Sequence, residues 1–472
     1  MKKVIYFLIL ASFQTSLFAQ TIEWERSFPS IEINIGVKGF GNDVAQTTDG
    51  GFILAGADLY PNSLGNFFIR VLKTDDQGNV EWDNTFHSIN DFTRWEGGES
   101  VFETEDGGFL ISGQTSRNFF ENSKIFLMKL SADGDSLWTK KYQHFENNLS
   151  RAMVQSNDGG FVLAGEVRNF QDHATVLLKV DGEGDSLWLK TYFPHESSTG
   201  AYDIQTIALP LGGGGYVATG VFNNDILLFA TDGTGELLWS KTYDFSPMDI
   251  GLSVRQTPDE GFIIGGATMD PDTHFPILIK TDASGNIEWT TTPGIGASGS
   301  VNAVRPTPDG GYVVCGAGLG FFSQYFNSGY LQQLDENGNE IWTIDFEGEQ
   351  TNALNVEMAQ DGGFIAGGNS QGGMFLLKTG GVTATTTPSE QKAALRIFPN
   401  PLTHSATLEL TDSKPQTHHF DLFDSLGRRI KKAFFEGTSF QFLREELPAG
   451  IYFFQIKDEK EMLVANGTLI AR

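Results

Sequence analysis

Asp49-Gly50-Gly51-Phe52-Ile53-Leu54-Ala55-Gly56 is a turn built on glycine, then an aromatic residue, then an apolar run closed by glycine. The chain returns to this phrase at Asp106-Gly107-Gly108-Phe109, Asp158-Gly159-Gly160-Phe161, Gly213-Gly214-Gly215-Tyr216, Asp259-Glu260-Gly261-Phe262, Asp309-Gly310-Gly311-Tyr312 and Asp361-Gly362-Gly363-Phe364. A period of about fifty residues is the mark of a propeller or a repeat array.

A second signature follows each copy. A glycine stands four residues before a tryptophan in Gly78 to Trp82, Gly134 to Trp138, Gly184 to Trp188, Gly235 to Trp239, Gly285 to Trp289 and Gly338 to Trp342. Asp stands three residues before that glycine in every copy except the second, where Ser131 replaces it. Asp opening a turn and Gly closing it is type I chemistry, with the glycine supplying the left-handed residue of a hairpin bulge. Two hairpin turns make four strands per repeat; the first repeat reads as 42–47, 51–57, 67–73 and 80–86. The second strand is apolar on both sides, as expected where stacked sheets bury both faces. Gly56, Ala164, Gly265 and Gly367 suit sheets that converge on a narrow axis.

The ends of the repeat region favour a ring over an open solenoid. The seventh copy stops at Met374-Phe375-Leu376-Leu377-Lys378 without a tryptophan, whereas Ile22-Glu23-Trp24-Glu25-Arg26-Ser27-Phe28 matches Val80-Glu81-Trp82-Asp83-Asn84-Thr85-Phe86. Complementary half-repeats remove two exposed edges, where a solenoid would need polar caps. The expected fold is all-β: a seven-bladed β-propeller closed by the N-terminal strand, with a small C-terminal β-sandwich. The Asp-Gly turns and the tryptophan motif resemble those of quinoprotein-like and kelch-like propellers. The adjacent cysteines expected of a quinone site of the dehydrogenase type are missing, so no such cofactor is expected.

Residues 1–19 read as a secretory signal peptide, with Lys2 and Lys3 ahead of the apolar run 4–10 and a small residue, Ala19, at the cut. No later run approaches the length of a membrane-spanning helix, so a soluble mature protein without a transmembrane segment is expected. The repeats occupy 20–379, a Thr-, Gly- and Pro-rich linker 380–394, and the sandwich 395–472. The single cysteine, Cys315, lies in an apolar run and reads as a buried structural residue. Net charge is −27. From Lys392 onward there are 11 basic and 10 acidic side chains, and before it 21 basic and 49 acidic. A body this acidic repels nucleic acid and anionic surfaces.

Three landmarks mark the tail: Phe398-Pro399-Asn400-Pro401, then Asp424-Ser425-Leu426-Gly427-Arg428, then Leu447-Pro448-Ala449-Gly450-Ile451-Tyr452. In this order and place they resemble the type A sorting domain of the type IX secretion system of Bacteroidetes. The resemblance implies export across the outer membrane, with the translocon and its sortase as partners and Phe398, Pro399, Asn400, Pro401, Asp424, Gly427, Arg428, Gly450 and Tyr452 as sorting-motif residues. It places the protein at the outer-membrane surface or in the medium.

Gly134-Asp135-Ser136-Leu137 and Gly184-Asp185-Ser186-Leu187 spell a serine-esterase motif, but sister repeats put Gly78-Asn79-Val80-Glu81 in the same slot, so it reads as a turn. No catalytic residue is named. Acidic turns such as Asp181-Gly182-Glu183-Gly184-Asp185 offer oxygens to calcium but lack EF-hand spacing, and turn formation accounts for them. No metal ligands are named, and calcium is the one ion they leave open. In a four-stranded blade both regular turns fall on one rim and the variable connections on the other. Tyr60, Trp95, Phe119, Phe120, Phe170, His173, His195, His274, Phe322 and Tyr325 map to the variable rim and are the candidate binding residues for glycan or protein. The alternative is a carbohydrate-active hydrolase or lyase with its site in the central depression.

Overall fold

A computed structural model describes residues 22–30, 40–59, 66–87, 95–116, 122–168, 173–195, 199–208, 214–270, 273–294, 299–318, 328–346, 352–370, 373–380, 395–398, 402–410, 417–423, 429–444, 447–448, 450–457 and 463–471. The candidate signal peptide and nearly all of the expected linker lie outside them.

Every element is a strand. After β1 (Ile22–Pro29) the first sheet holds β2 (Phe40–Gln46), β3 (Phe52–Leu59), β4 (Phe67–Thr74) and β5 (Val80–Phe86). The second holds β6 (Trp95–Glu103), β7 (Phe109–Ser116), β8 (Lys124–Leu130) and β9 (Ser136–Tyr142); the third β10 (Asn147–Gln155), β11 (Phe161–Arg168), β12 (His173–Val180) and β13 (Ser186–His195). The fourth holds β14 (Thr199–Ala208), β15 (Gly214–Phe222), β16 (Asp225–Asp232) and β17 (Leu237–Tyr243); the fifth β18 (Met248–Gln256), β19 (Phe262–Asp270), β20 (Thr273–Thr281) and β21 (Ile287–Thr291). The sixth holds β22 (Gly299–Pro306), β23 (Tyr312–Gly318), β24 (Ser328–Leu334) and β25 (Glu340–Asp345), and the seventh opens with β26 (Asn352–Met358), β27 (Phe364–Ser370) and β28 (Gly373–Thr379).

All pairings in these sheets are antiparallel, and β1 supplies the seventh sheet's fourth strand, in the order β26-β27-β28-β1. Trp24 stands opposite Lys378 and Arg26 opposite Leu376. The first strands contact one another in the cycle β2, β6, β10, β14, β18, β22, β26 and back to β2. Across the seam between seventh and first sheets, Gly41 N donates to Asn369 Oδ1 at 3.0 Å and Gln360 N to Gln46 Oε1 at 2.7 Å.

The two sequence signatures meet between sheets. Six of the seven motif tryptophans pack ring on ring against the aromatic residue that opens the next sheet's second strand: Trp24 on Phe52, Trp82 on Phe109, Trp188 on Tyr216, Trp239 on Phe262, Trp289 on Tyr312 and Trp342 on Phe364, with ring centroids 5.6–6.5 Å apart. The glycine four residues before the next tryptophan lies under the same ring. Gly134 has φ +82°, and a Cβ there would stand 2.8 Å from Trp82. Glycine is therefore needed twice, for its backbone and for the space it leaves.

A lysine one residue short of the third strand's end ties each glycine turn down. Lys73 Nζ reaches Asp49 and Glu81, both at 2.9 Å; Lys280 reaches Asp259 at 2.7 Å and Glu288 at 3.0 Å; Lys378 reaches Asp361 at 2.6 Å and Glu23 at 3.2 Å. Lys129 and Lys179 bind Asp106 and Asp158, both at 2.6 Å. In the sixth sheet Gln333 takes the lysine's place and donates to Asp309. The fourth sheet has Ala230 at the lysine position and Gly213 at the aspartate position, so both partners are missing together.

The tail forms β29 (Leu395–Phe398), β30 (Ser405–Leu410), β31 (Thr417–Phe423), β32 (Arg429–Glu436), β33 (Ser439–Leu443), β34 (Gly450–Lys457) and β35 (Leu463–Ala471). They make one sheet in the order β29-β30-β33 and another in the order β32-β31-β34-β35. The two share a core that includes Leu408, Phe442, Phe420, Phe454 and Leu469.

Candidate functional site

Each first strand carries a bulge at the same place. The register slips between Gly41 and Asp43, Gly98 and Ser100, Ser150 and Ala152, Ala201 and Asp203, Gly251 and Ser253, Val301 and Ala303, and Ala353 and Asn355. The extra residues are Asn42, Glu99, Arg151, Tyr202, Leu252, Asn302 and Leu354. A bulge re-aims a side chain out of the ladder, so one residue per sheet is turned aside where the first strands adjoin; Asn42 and Asn302 use theirs to donate to Gly98 O and Ala353 O on the next sheet, both at 2.8 Å.

The residue after each bulge is mostly used for structure. Asp43 accepts from Val101 N at 2.9 Å and Ser100 Oγ at 3.0 Å on the next sheet, and Asn355 Nδ2 donates to it from the seventh. Asp203 likewise accepts from Val254 N at 2.9 Å and Arg255 Nη1 at 2.5 Å. Arg305 holds Glu357 at 2.6 Å and Asn355 at 2.8 Å. These contacts belt adjacent sheets together.

Glu99, Arg151 and Tyr202, from three successive sheets, are arranged differently. The Arg151 guanidinium lies over the Tyr202 ring at 5.4 Å, and its Nη2 is 3.5 Å from Glu166 Oε1. Glu166 is already held by Arg168, through Nε at 3.1 Å and Nη2 at 2.8 and 2.9 Å. Burial opposes the charge on Arg151, but Glu99 and Glu166 outweigh it. Glu99 accepts a single long hydrogen bond, 3.3 Å from Gln114 Nε2, and burial pushes its carboxyl up to about 7 against the pull of Arg151. Arg151 Nε and Gln114 Oε1 are buried without a hydrogen-bond partner.

The cluster sits toward the variable connections. First strands run from those connections to the glycine turns, and second strands run back. Glu166 and Arg168 end β11, and Tyr202 lies near the start of β14.

Of the rim residues expected from the sequence, Trp95 packs on Phe67 at 4.8 Å, over Ala57 and Leu59, in a small core of its own. His173 and His195 are cross-strand neighbours, and His195 meets the Phe222 ring edge-on at 5.4 Å. A bulge puts them opposite each other, with Phe193 at φ +52°. His173 Nδ1 and His274 Nδ1 are buried without partners. Tyr60, Phe119, Phe120, Phe170, Phe322 and Tyr325 lie outside the described residues. Glu99, Gln114, Arg151, Glu166, Arg168 and Tyr202 were not singled out from the sequence: they come from different repeats and share no motif.

The esterase-like segment is a turn, with Gly134 N donating to Ser131 O and Leu137 exposed. In the acidic turns the leading aspartate is occupied locally. Asp181 Oδ1 accepts from Glu183 N at 3.0 Å and Asp185 N at 2.7 Å. Among the described residues, no three His, Cys, Asp or Glu side chains come together to hold a metal. Cys315 is fully buried and its thiol is pushed up to about 12 by burial, with Arg305 opposing. No described helix is long and apolar enough to cross a membrane.

In the tail, Phe398 ends β29 half-exposed, Gly450 opens β34, and buried Tyr452 donates its hydroxyl to Pro448 O at 3.0 Å. Pro399, Asn400, Pro401, Asp424, Gly427 and Arg428 lie outside the described residues.

No protein of curated function matches the chain. Among solved structures, the extracellular domain of a hybrid two-component system from B. thetaiotaomicron aligns over 96% of this chain at 11% identity and TM-score 0.46; the chain spans 60% of that domain's length. Sqt1 of Chaetomium thermophilum, bound to the N-terminus of ribosomal protein L10, aligns over 73% of this chain and 97% of its own at 11% identity and TM-score 0.45. Residues 396–469 match the secretion system C-terminal sorting domain. This domain marks proteins exported by the type IX system to the cell surface or the medium, and it implies an interaction with that machinery.

Proposed function

We propose that the chain is an exported binding protein in which the seven four-stranded sheets are the blades of a seven-bladed β-propeller, closed by β1, that recognises glycan or protein through its variable-loop face. Residues 1–19 act as the signal peptide, and 395–472 form the sorting sandwich read by the type IX translocon and sortase. The cyclic contacts of the first strands and the β1–β28 pairing support the ring.

One observation carries the binding reading: the two ends of the sheets differ in how their polar groups are used. At the glycine-turn end, lysines meet aspartates in five of the seven sheets, and the aspartates accept from backbone N–H groups. Toward the other end, Gln114 Oε1, Arg151 Nε, His173 Nδ1 and His274 Nδ1 are buried without partners, whereas at the glycine-turn end Trp24 Nε1 is so left and the Ser112, Ser150 and Thr290 hydroxyls lie along the strands between. Buried polar atoms left unsatisfied are rare, and their gathering where the loops vary fits a surface completed by a ligand.

The second reading, a hydrolase or lyase, draws on Glu99. A buried carboxyl near neutrality under the influence of a guanidinium has the protonation range of a general acid or base. Screening the purified full chain against polysaccharides and surface proteins, with and without calcium, separates the two. Binding without product supports the first reading, and product that disappears in Glu99→Gln replaces it with the second.

A further inference from the structure

Arg151 is less completely paired than the arginine beside it. Arg168 spends its guanidinium on Glu166 in a bidentate contact, whereas Arg151 touches Glu166 only at 3.5 Å and keeps a buried Nε–H with nothing to donate to. With Glu99 protonated, the four groups Glu99, Arg151, Glu166 and Arg168 carry one net positive charge inside a strongly acidic repeat region. An unspent acceptor, Gln114 Oε1, accompanies the unspent donor. A ligand that satisfies both brings an acceptor, which the cluster's net positive charge favours as an anion, and a hydrogen-bond donor. A uronic acid carries both on one ring. An acidic peptide brings its donors on the backbone, apart from the side-chain carboxylate, and so has to fit two separate groups to the two atoms.

We propose that Glu99, Gln114, Arg151 and Tyr202 form a binding site for the uronate unit of an acidic glycan, with the Arg151 guanidinium holding its carboxylate. The proposal rests on the binding reading above and deepens it by naming the ligand's chemistry. Arg151 Nε and Nη groups match a carboxylate in bidentate geometry, Gln114 Oε1 accepts from a neighbouring hydroxyl, and Tyr202 backs the guanidinium with its ring. The Arg151 side chain keeps about a quarter of its surface exposed, and Glu99 and Tyr202 are only partly buried, so a ligand approaches the guanidinium from that side.

Protonation of Glu99 goes with binding. The charged groups on the strands packed against β6 are Asp43 on β2, Asp58 on β3, Arg70 and Lys73 on β4 and Arg151 on β10, besides Glu96 and Glu103 on β6 itself. Arg70 is taken up by Asp58 and Asp83, and Lys73 by Asp49 and Glu81, which leaves Arg151 as the cation acting on Glu99. When a uronate takes Arg151, Glu99 loses that support and takes up a proton. Binding therefore strengthens as pH falls from about 8 to about 6, while the uronate, with a carboxyl of ordinary acidity, stays ionised.

Calorimetric titration of the full chain with digalacturonate, D-glucuronate, D-glucose and a short polyglutamate peptide tests this. The expected result is binding of the two uronates with proton uptake, visible as a heat that depends on the buffer, and no binding of glucose or peptide. Arg151→Gln should weaken uronate binding at least tenfold, Arg151→Lys less, and Glu99→Gln should remove the pH dependence. Thermal unfolding of each variant checks that it folds. Equal affinity for glucose, preference for the peptide, or unchanged affinity in Arg151→Gln overturns the site. If the chain binds a neutral glycan or a protein with Arg151→Gln unaffected, the binding reading stands and the uronate site falls. If no glycan or protein binds at all, both fall.

Discussion

Lys280 is nearly buried, and its ammonium meets Asp259, Glu288 and the carbonyl of Thr281 at 2.7–3.0 Å. Removing it leaves two half-exposed carboxylates facing each other, while the fourth sheet shows that the fold accepts the loss of lysine and aspartate together. Lys280→Ala is expected to cost about 1–2 kcal/mol, after discounting for the exposure of the carboxylates. Adding Asp259→Gly should recover part of that, so a double-mutant cycle in urea should show coupling of about 1 kcal/mol. A second residue-scale comparison uses two glycines of similar φ. Gly107 (+75°) has open space where a Cβ would go, whereas a Cβ on Gly134 (+82°) would meet Trp82 and Asn84. Gly107→Ala should cost about 1 kcal/mol, from left-handed strain alone. Gly134→Ala should cost clearly more, and the difference measures how tightly the ring occupies that space.

At the scale of elements, β1 closes the seventh sheet although its sequence partners lie some 350 residues away. Trp24 sits on Phe52, and Arg70 in the first sheet donates to Pro29 O at 2.9 Å while paired with Asp58 at 2.9 Å. Trp24→Ala removes a core ring from the sheet that joins the two ends of the repeat region. It is expected to destabilise by about 3–5 kcal/mol, with amide exchange accelerating first in β1 and β28. Loss confined to β1, with β28 still protected, would show that the closing strand contributes little. In the tail, the alternating segments 406–410, 420–423, 450–456 and 462–465 of the sequence point to β30, β31, β34 and β35, while β29, β32 and β33 are not among them. For β32 the reason is that Arg429–Glu436 is an edge strand with Lys431, Ala433 and Phe435 on its inner face and Ile430 and Phe434 turned to solvent, so its apolar residues do not follow the alternation of its burial.

For the whole molecule, two groups of carboxyls act on stability in opposite pH ranges. Burial alone would raise Asp49, but hydrogen bonds from Thr47 and Lys73 outweigh it and hold the carboxyl at about 2; Lys179 and Ser156 hold Asp158 at about 2. Asp106, Asp259 and Asp361 are lowered in the same way. Folded values below the unfolded ones mean that this contribution is present above about pH 4 and is lost as pH falls toward 2. Glu99 has the opposite sign. Its contribution is full below the ordinary value of 4.5 and is lost as pH rises through about 7. Thermal unfolding across pH 2–8 should give a midpoint that falls steeply below pH 4 and slopes gently down toward pH 7, and Glu99→Gln should flatten only the second limb. A Glu99→Gln profile parallel to the wild type would show that Glu99 is not held away from its ordinary range.

The local chemistry of turns and strands was legible without coordinates, because each repeat restates it: Asp and Gly for the hairpins, a doubly apolar second strand, and a tryptophan after each second turn. The matching half-repeats at the two ends were legible for the same reason, as was the sorting tail from its three ordered motifs. What only the tertiary structure decided is which side chains meet across sheets. The bulges depend on how neighbouring first strands pack, and they bring Glu99, Arg151 and Tyr202 together from positions about fifty residues apart. Their meeting is set by the spacing between sheets, a long-range property that no short stretch of sequence carries.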